Sequence, residues 1–244
     1  MNRVLIKLSG FGYNGSNGIP GKTIAPSLNA RSDKRTISTG GEFGYFFKGL
    51  GAINLTCSYQ NRRTDYRDLV GSTPYLTQYF EEEKALGLSI KGNEWKHLNA
   101  ELRGSLREQR LEGKDNLRPD YALGIVTRDI YQLGYSLRYR NGVSPLNIEM
   151  AISGNTDITD GENYWAQSAQ TSIWFDYAIK PGISLSYGRS YRLPGLAELN
   201  WKEDVFVIAN PDLRPEQSNQ KLFGISGISL TFVHKYKVVP DAPF

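Results

Sequence analysis

Four segments of this chain alternate apolar and polar residues with a period of two, and the connections around them alternate between short and long. In "AINLTCSYQ", Ile53, Leu55, Cys57 and Tyr59 oppose Asn54, Thr56, Ser58 and Gln60. In "YQLGYSLRYR", Tyr131, Leu133, Tyr135, Leu137 and Tyr139 oppose Gln132, Gly134, Ser136, Arg138 and Arg140. In "PLNIEMAIS", Leu146, Ile148, Met150 and Ile152 oppose Asn147, Glu149 and Ala151. In "QTSIWFDYA", Thr171, Ile173, Phe175 and Tyr177 oppose Gln170, Ser172, Trp174 and Asp176. A period of two places such sets on opposite faces of a β-sheet. At the N-terminus Val4, Ile6 and Leu8 form one set against Arg3, Leu5 and Lys7, with Leu5 the exception.

"HLNAELRGSLREQR" fits two periods. Leu98, Leu102 and Leu106 are spaced as on an amphipathic helix, but the same residues also alternate with Asn99, Glu101, Arg103 and Arg107. Gly104 disfavours a helix interior, and the flanking strand patterns favour a strand over 96–108.

The connections select among β architectures. Short turns are expected near 49–51, 92–95, 141–144 and 180–182. Long stretches are expected at 63–82, 109–126 and 154–166, and after the strand at 183–190. Outer-membrane barrels keep their short turns on the periplasmic edge and their long loops outside. Strands of about 9–11 residues cross a bilayer when tilted. The expected fold is therefore all-β: an antiparallel up-and-down transmembrane barrel wall of about ten strands. Its apolar faces meet lipid. Its lumenal faces carry Glu101, Arg103, Arg107, Arg138, Glu149 and Asp176, which are costly against lipid and at home in a wet lumen. A soluble antiparallel sheet with solvated polar faces is the competing reading.

Composition excludes several functions. The net charge of +4 is spread among mixed signs without a basic block, so nucleic-acid binding is not expected. A mean hydropathy of −0.45 argues against helical spans and leaves a barrel open. One cysteine, Cys57, and two histidines far apart, His97 and His234, supply neither a cysteine metal cluster nor a His-centred triad. No catalytic residue, metal site or cofactor is expected.

Residues 189–220, "RSYRLPGLAELNWKEDVFVIANPDLRPEQSNQ", are punctuated by Pro194, Pro211 and Pro215. Proline fixes φ and removes a donor, and Asn210-Pro211 favours a turn. The order Ser190, Tyr191, Arg192, Pro194, Glu198, Leu199, then Asn210, Pro211, Leu213, Arg214, Pro215, Glu216, Ser218 resembles the segment that follows a late barrel strand in TonB-dependent outer-membrane receptors. Arg192 and Glu198 are expected to pair, or to hold the loop against the lumen; the loop is structural or ligand-gating. "NQKLFGISG" departs from the aromatic-Glu-x-Gly strand start that usually follows.

The resemblance implies residence in the outer membrane of a Gram-negative bacterium, in contact with its lipid. It implies active import of a scarce nutrient, such as a ferric siderophore, another iron chelate or a cobalamin-like ligand, with TonB engaged through a plug domain that these residues do not contain. Receptors of this class have about 22 strands around a plugged lumen. Residues 1–232 are accordingly expected to be part of such a barrel and 233–244 an irregular tail. A passive porin and a soluble binding module are the alternatives.

Overall fold

The computed structural model describes residues 2–18, 29–69, 74–93, 95, 97–143, 145–175, 181–200, 210–226 and 230–237. Eleven strands run in order: β1 Arg3–Gly18, β2 Arg31–Phe47, β3 Gly51–Asp68, β4 Tyr75–Gly92, β5 Leu98–Asp115, β6 Gly124–Val143, β7 Leu146–Thr159, β8 Glu162–Phe175, β9 Gly182–Arg192, β10 Glu216–Ser226 and β11 Leu230–Lys237. Each pairs antiparallel with its sequence neighbours in a single sheet ordered β1 to β11. Among the described residues β1 and β11 do not pair with each other, so the sheet is open. The expected meander of about ten strands is present, and residues 98–108 are strand, within β5. All connections leaving an even-numbered strand lie on one edge, as the short–long rhythm predicted.

The alternation carries the faces as expected. Val4, Ile6, Leu8, Leu55, Leu88, Leu102, Leu133, Met150, Ile173 and Leu185 are all exposed. Between them, on the other face, stand Asn54, Thr56, Ser89, Ser105, Gln132, Ser153 and Asn155. These polar residues line one cavity of about 350 Å³ across β3 to β7, so the polar face is the concave one. Among the described residues the buried hydrophobics are only Ala30, Ala52, Tyr79, Leu111 and Ile130. A sheet with so little core is held by its hydrogen-bond ladders and requires a surrounding apolar phase for its outer face.

The strands are longer than expected. β3, β4 and β5 each have 18 residues and β6 has 20. Much of the stretches read as long loops, 63–82 and 109–126, is ladder. Above the apolar band the outward face turns charged, so the period-two contrast fades while the backbone still pairs. Outward positions there carry ion pairs such as Lys84–Glu82, Arg110–Glu112 and Lys114–Glu112.

The stretch 154–166, expected as a long loop, is instead a hairpin closed at Thr159↔Glu162. Asp160 and Gly161 both have positive φ, 52° and 80°, the signature of a two-residue type I′ turn. Asp-Gly is a strong sequence signal for this turn, and the fading alternation masked it. At the opposite edge, Gly49 has φ 79° and Gly51 φ 132°, and a Cβ on Gly51 would collide with the Lys91 carbonyl. β11 runs to Lys237, five residues past the expected end of the barrel region at 232 (237 − 232). His234 thus lies in a strand, in register with Lys221. Residues 238–244 lie outside the described residues.

Candidate functional site: a proline-punctuated loop seated on the lumenal wall

β9 ends at Arg192, and the chain then turns back over the concave face. Its first turn of structure is a short helix, α1, Leu196–Asn200, packed on β5 and β6. The wall beneath carries a relay of polar side chains. Gln109 donates Nε2 to Glu83 at 2.7 Å and accepts from Arg128 Nη2 at 2.6 Å. Arg128 in turn donates Nη1 to the Pro194 carbonyl at 2.8 Å. Arg128 is 6% exposed. A buried guanidinium requires acceptors for its donors, and the loop carbonyl supplies one.

Beside this relay the wall carries a cluster of apolar residues. Register places Leu111 opposite Val126, and Arg107 opposite Ile130, all on the inward side. Leu111 is fully buried. A smaller cavity of about 170 Å³ lies between the wall and the loop, lined among others by Arg62, Glu83, Leu111, Gly195 and Leu196. The sequence reading missed Arg128 and this apolar seat. The available signal was Leu111, Val126 and Ile130 at inward parity, where nothing but a covering segment would shield them.

The expected motif residues meet at the base of the loop. Arg192 pairs with Glu198 at 2.6 Å and lies 3.5 Å from Glu216, its register partner in β10. Glu198 also accepts from the Gly195 N–H at 2.7 Å. The Gly195 N–H and the Arg192 guanidinium together hold its carboxyl below the usual glutamate range. The Leu199 N–H donates to the Gly195 carbonyl, and the Asn210 N–H to that of Glu198. Asn210, Pro211, Asp212 and Leu213 form a turn, with Leu213 N–H on the Asn210 carbonyl and Asp212 N–H on Asn210 Oδ1 at 3.0 Å. Pro215 precedes β10. Of the two expected alternatives, Arg192 pairs with Glu198, while Arg128 joins the loop to the wall.

The charges expected in the lumen are on the concave face by register, but dispersed. Arg103 lies 3.4 Å from Glu101, Arg107 3.6 Å from Glu83, and Arg138 3.6 Å from Glu149. Each arginine has a carboxylate neighbour, so the three form no unpaired cationic track. Asp176 lies outside the described residues.

The fold has solved counterparts. The chain matches the copper transporter OprC with a TM-score of 0.63 at 13% identity, over 91% of this chain and 40% of that one. The likeness shows the fold: an up-and-down antiparallel β wall like part of that barrel. This chain spans less than half the length of that transporter. No protein-family model matches the sequence, and no curated protein matches it.

Proposed function

We propose that this chain is part of the barrel of a TonB-dependent outer-membrane receptor. In this reading residues 1–237 supply about half of a wall of about 22 strands. A plug domain outside these residues engages TonB, and the intact receptor actively imports a scarce nutrient such as a ferric siderophore or a cobalamin-like ligand. The observation that carries the reading is the loop. Its Arg192, Pro194, Glu198, Asn210, Pro211 and Glu216 follow the receptor pattern, and Arg128 anchors that same loop across the lumenal wall. The fold supports a transporter wall independently.

Copper, the cargo of the structural neighbour, is not carried over. Soft thiolate and thioether ligands suit copper(I), and here Cys57 and Met150 stand on the outward face. No group of three His, Cys, Asp or Glu residues is arranged to hold a metal ion among the described residues.

The test is uptake by cells carrying the full reading frame, with labelled ferric siderophores and cobalamin, with and without TonB. Uptake that requires TonB is expected. Uptake that persists without TonB would make the protein a passive porin. Recovery outside the outer-membrane fraction would make it a soluble β-sheet module.

A further inference from the structure

The β7–β8 hairpin stops at Asp160-Gly161, while the β5–β6 hairpin beside it climbs further. Register pairs β6 with β7 only from Tyr131 down, and with β5 all the way up to Gly124. Residues 124–130 of β6 therefore have β5 on one side and, among the described residues, no strand on the other. The Arg140 N–H donates to the His97 carbonyl at 2.9 Å, which sets the phase of the β5–β6 ladder. The register is unbroken up to Gly113↔Gly124. Even-numbered residues of β6 thus bond to β5, and odd-numbered ones turn N–H and C=O the other way. Lower down, β7 takes those groups. Above the hairpin the N–H and C=O of Ile125, Thr127 and Asp129 face no strand among the described residues.

This edge lies in water. At 3.3 Å per residue and a tilt near 40°, a 25 Å apolar band takes about ten residues of β6 up from Val143, and residues 124–130 lie above that. Unpaired edges invite another strand, and natural sheets blunt them with proline, lysine or a bulge. None of the three occurs at 124–130. Arg128 is held by Gln109 and the Pro194 carbonyl. The outward side chains of the edge, Ile125, Thr127 and Asp129, are exposed. A notch of about 330 Å³ at its foot is lined among others by Thr127, Asp129, Tyr131, Ile158 and Asp160. Its two carboxylates, Asp129 and Asp160, are exposed and form no ion pair among the described residues, whereas Glu82 on β4 and Glu112 on β5 do. The edge points along the wall, over the hairpin tip, so it admits a thin extended segment and not a second barrel.

We propose that the upper edge of β6 is a docking site for an extended, basic polypeptide segment of another protein, which adds to the wall as a further strand. Backbone bonds to Ile125, Thr127 and Asp129 supply affinity, and the alternate side chains supply specificity. An antiparallel segment sets, at alternate positions from its N-terminus, a basic residue opposite Asp129, a β-branched one opposite Thr127 and an apolar one opposite Ile125. The basic residue faces the notch that Asp160 also lines. The inference rests on the transporter reading in one respect: that reading makes this edge the cell exterior, so the partner is a secreted or surface protein.

The test uses the full-length protein carrying this chain, in detergent micelles, with a short synthetic peptide of that pattern and a second peptide in which glutamate replaces the basic residue. Hydrogen exchange is read residue by residue. The amides of Ile125, Thr127 and Asp129 should exchange fast in the protein alone and about tenfold slower with saturating basic peptide, while those of Val126 and Arg128, bonded to β5, stay slow throughout. Thr127→Pro removes only an N–H on the free side, and should weaken binding about tenfold with Val126 and Arg128 still slow. Asp129→Lys should weaken the basic peptide about fivefold and strengthen the glutamate one; it carries the test if Thr127→Pro loosens the ladder. Equal binding to wild type and to a folded Thr127→Pro would overturn the proposal, as would equal affinity for the two peptides. Odd-numbered amides that are slow without peptide would overturn it too, in dilute protein because the same chain covers the edge, and only in concentrated protein because a second copy does. A protein absent from the outer-membrane fraction would overturn the transporter reading alone, since exchange in detergent decides the edge by itself.

Discussion

Arg128 on β6 reaches the backbone carbonyl of Pro194, 66 residues later in the chain, through a buried 2.8 Å hydrogen bond. The bond joins the lumenal wall to the loop that returns from β9. A charged donor to a buried carbonyl is worth about 1.5–3 kcal/mol. Arg128→Ala should therefore release the loop, orphaning both the Pro194 carbonyl and Gln109 Oε1. Distances between spin labels on the loop and on the β5 wall should broaden in the variant. An unchanged narrow distribution would mean that the apolar seat at Leu111 holds the loop without Arg128.

The Glu198 carboxyl is held below its usual range by the Gly195 N–H, then by Arg192. A group with a depressed folded pKa stabilises the folded arrangement above its unfolded value, about 4.3 for glutamate. That contribution is lost as pH falls through the lowered folded value. Loop amides near Gly195 should thus exchange hydrogen faster on acidification below about pH 4, after correction for intrinsic rates. Glu198→Gln should exchange fast at all pH values and lose the dependence. A pH-dependent wild type with an equally pH-dependent Glu198→Gln would assign the titration elsewhere.

The two faces of β6 differ in what they tolerate. Leu137 points outward and lies six residues above Val143, the end of the strand (143 − 137), near the middle of the apolar band. Leu137→Arg should cost about 2–4 kcal/mol of folding in lipid, and the same change nearer the interface, at Leu133, less. Arg138→Leu on the lumenal face should be mild, because its neighbour Glu149 keeps Arg140 at 2.7 Å. Denaturant titration in lipid vesicles reads these differences. Equal costs at Leu137 and Arg138 would reverse the assignment of the faces.

Which parts of this structure were legible in the sequence follows from where side chains meet unlike surroundings. Tyr131 to Tyr139 alternate because one face meets an apolar phase and the other water, so β6 and its faces could be read directly. Residues 109–115 and 124–128 extend the same ladder where charged residues stand outward and Leu111 and Val126 stand inward among polar neighbours, so the apolar-out, polar-in contrast is lost. The hairpin at Asp160-Gly161 was legible from its turn residues alone, through the requirement for positive φ, and was obscured by the expectation of a long exterior loop. The loop's proline framework was readable as local rigidity. Its anchor was not, because the partner of Pro194 is a single arginine 66 residues earlier in the chain; only the inward parity of Leu111, Val126 and Ile130 hinted at a covering segment.

That hairpin gives a local test. Gly161 at φ 80° and Asp160 at φ 52° occupy the left-handed region, where a β-branched residue costs of order 1–3 kcal/mol. Gly161→Val should destabilise the protein by about that amount, while Asp160→Asn should be near neutral, since asparagine tolerates the same region. Thermal unfolding of the two variants in matched detergent would separate them. A neutral Gly161→Val would mean that the connection is a longer, open loop.

The outer strands of the open sheet set the last expectation. β1 presents sixteen residues of backbone on its free side, and among the described residues register pairs it only with β2. Unpaired strand edges template association with other chains, and they are not tolerated in the hydrocarbon of a bilayer. Exposed Val4, Ile6 and Leu8 on β1 add apolar surface to that edge. Produced without the rest of a barrel, residues 1–244 should enter insoluble aggregates, show no ligand uptake and bind amyloid-type dyes weakly or not at all, because edge-to-edge pairing here joins twisted sheets rather than flat ones. Adding a separately produced polypeptide carrying the remaining strands during refolding should convert the material to a heat-modifiable, protease-resistant species. A monomeric species that conducts ions in a planar bilayer without any such addition would show that the eleven strands close on themselves, and would replace the receptor reading with that of a small porin.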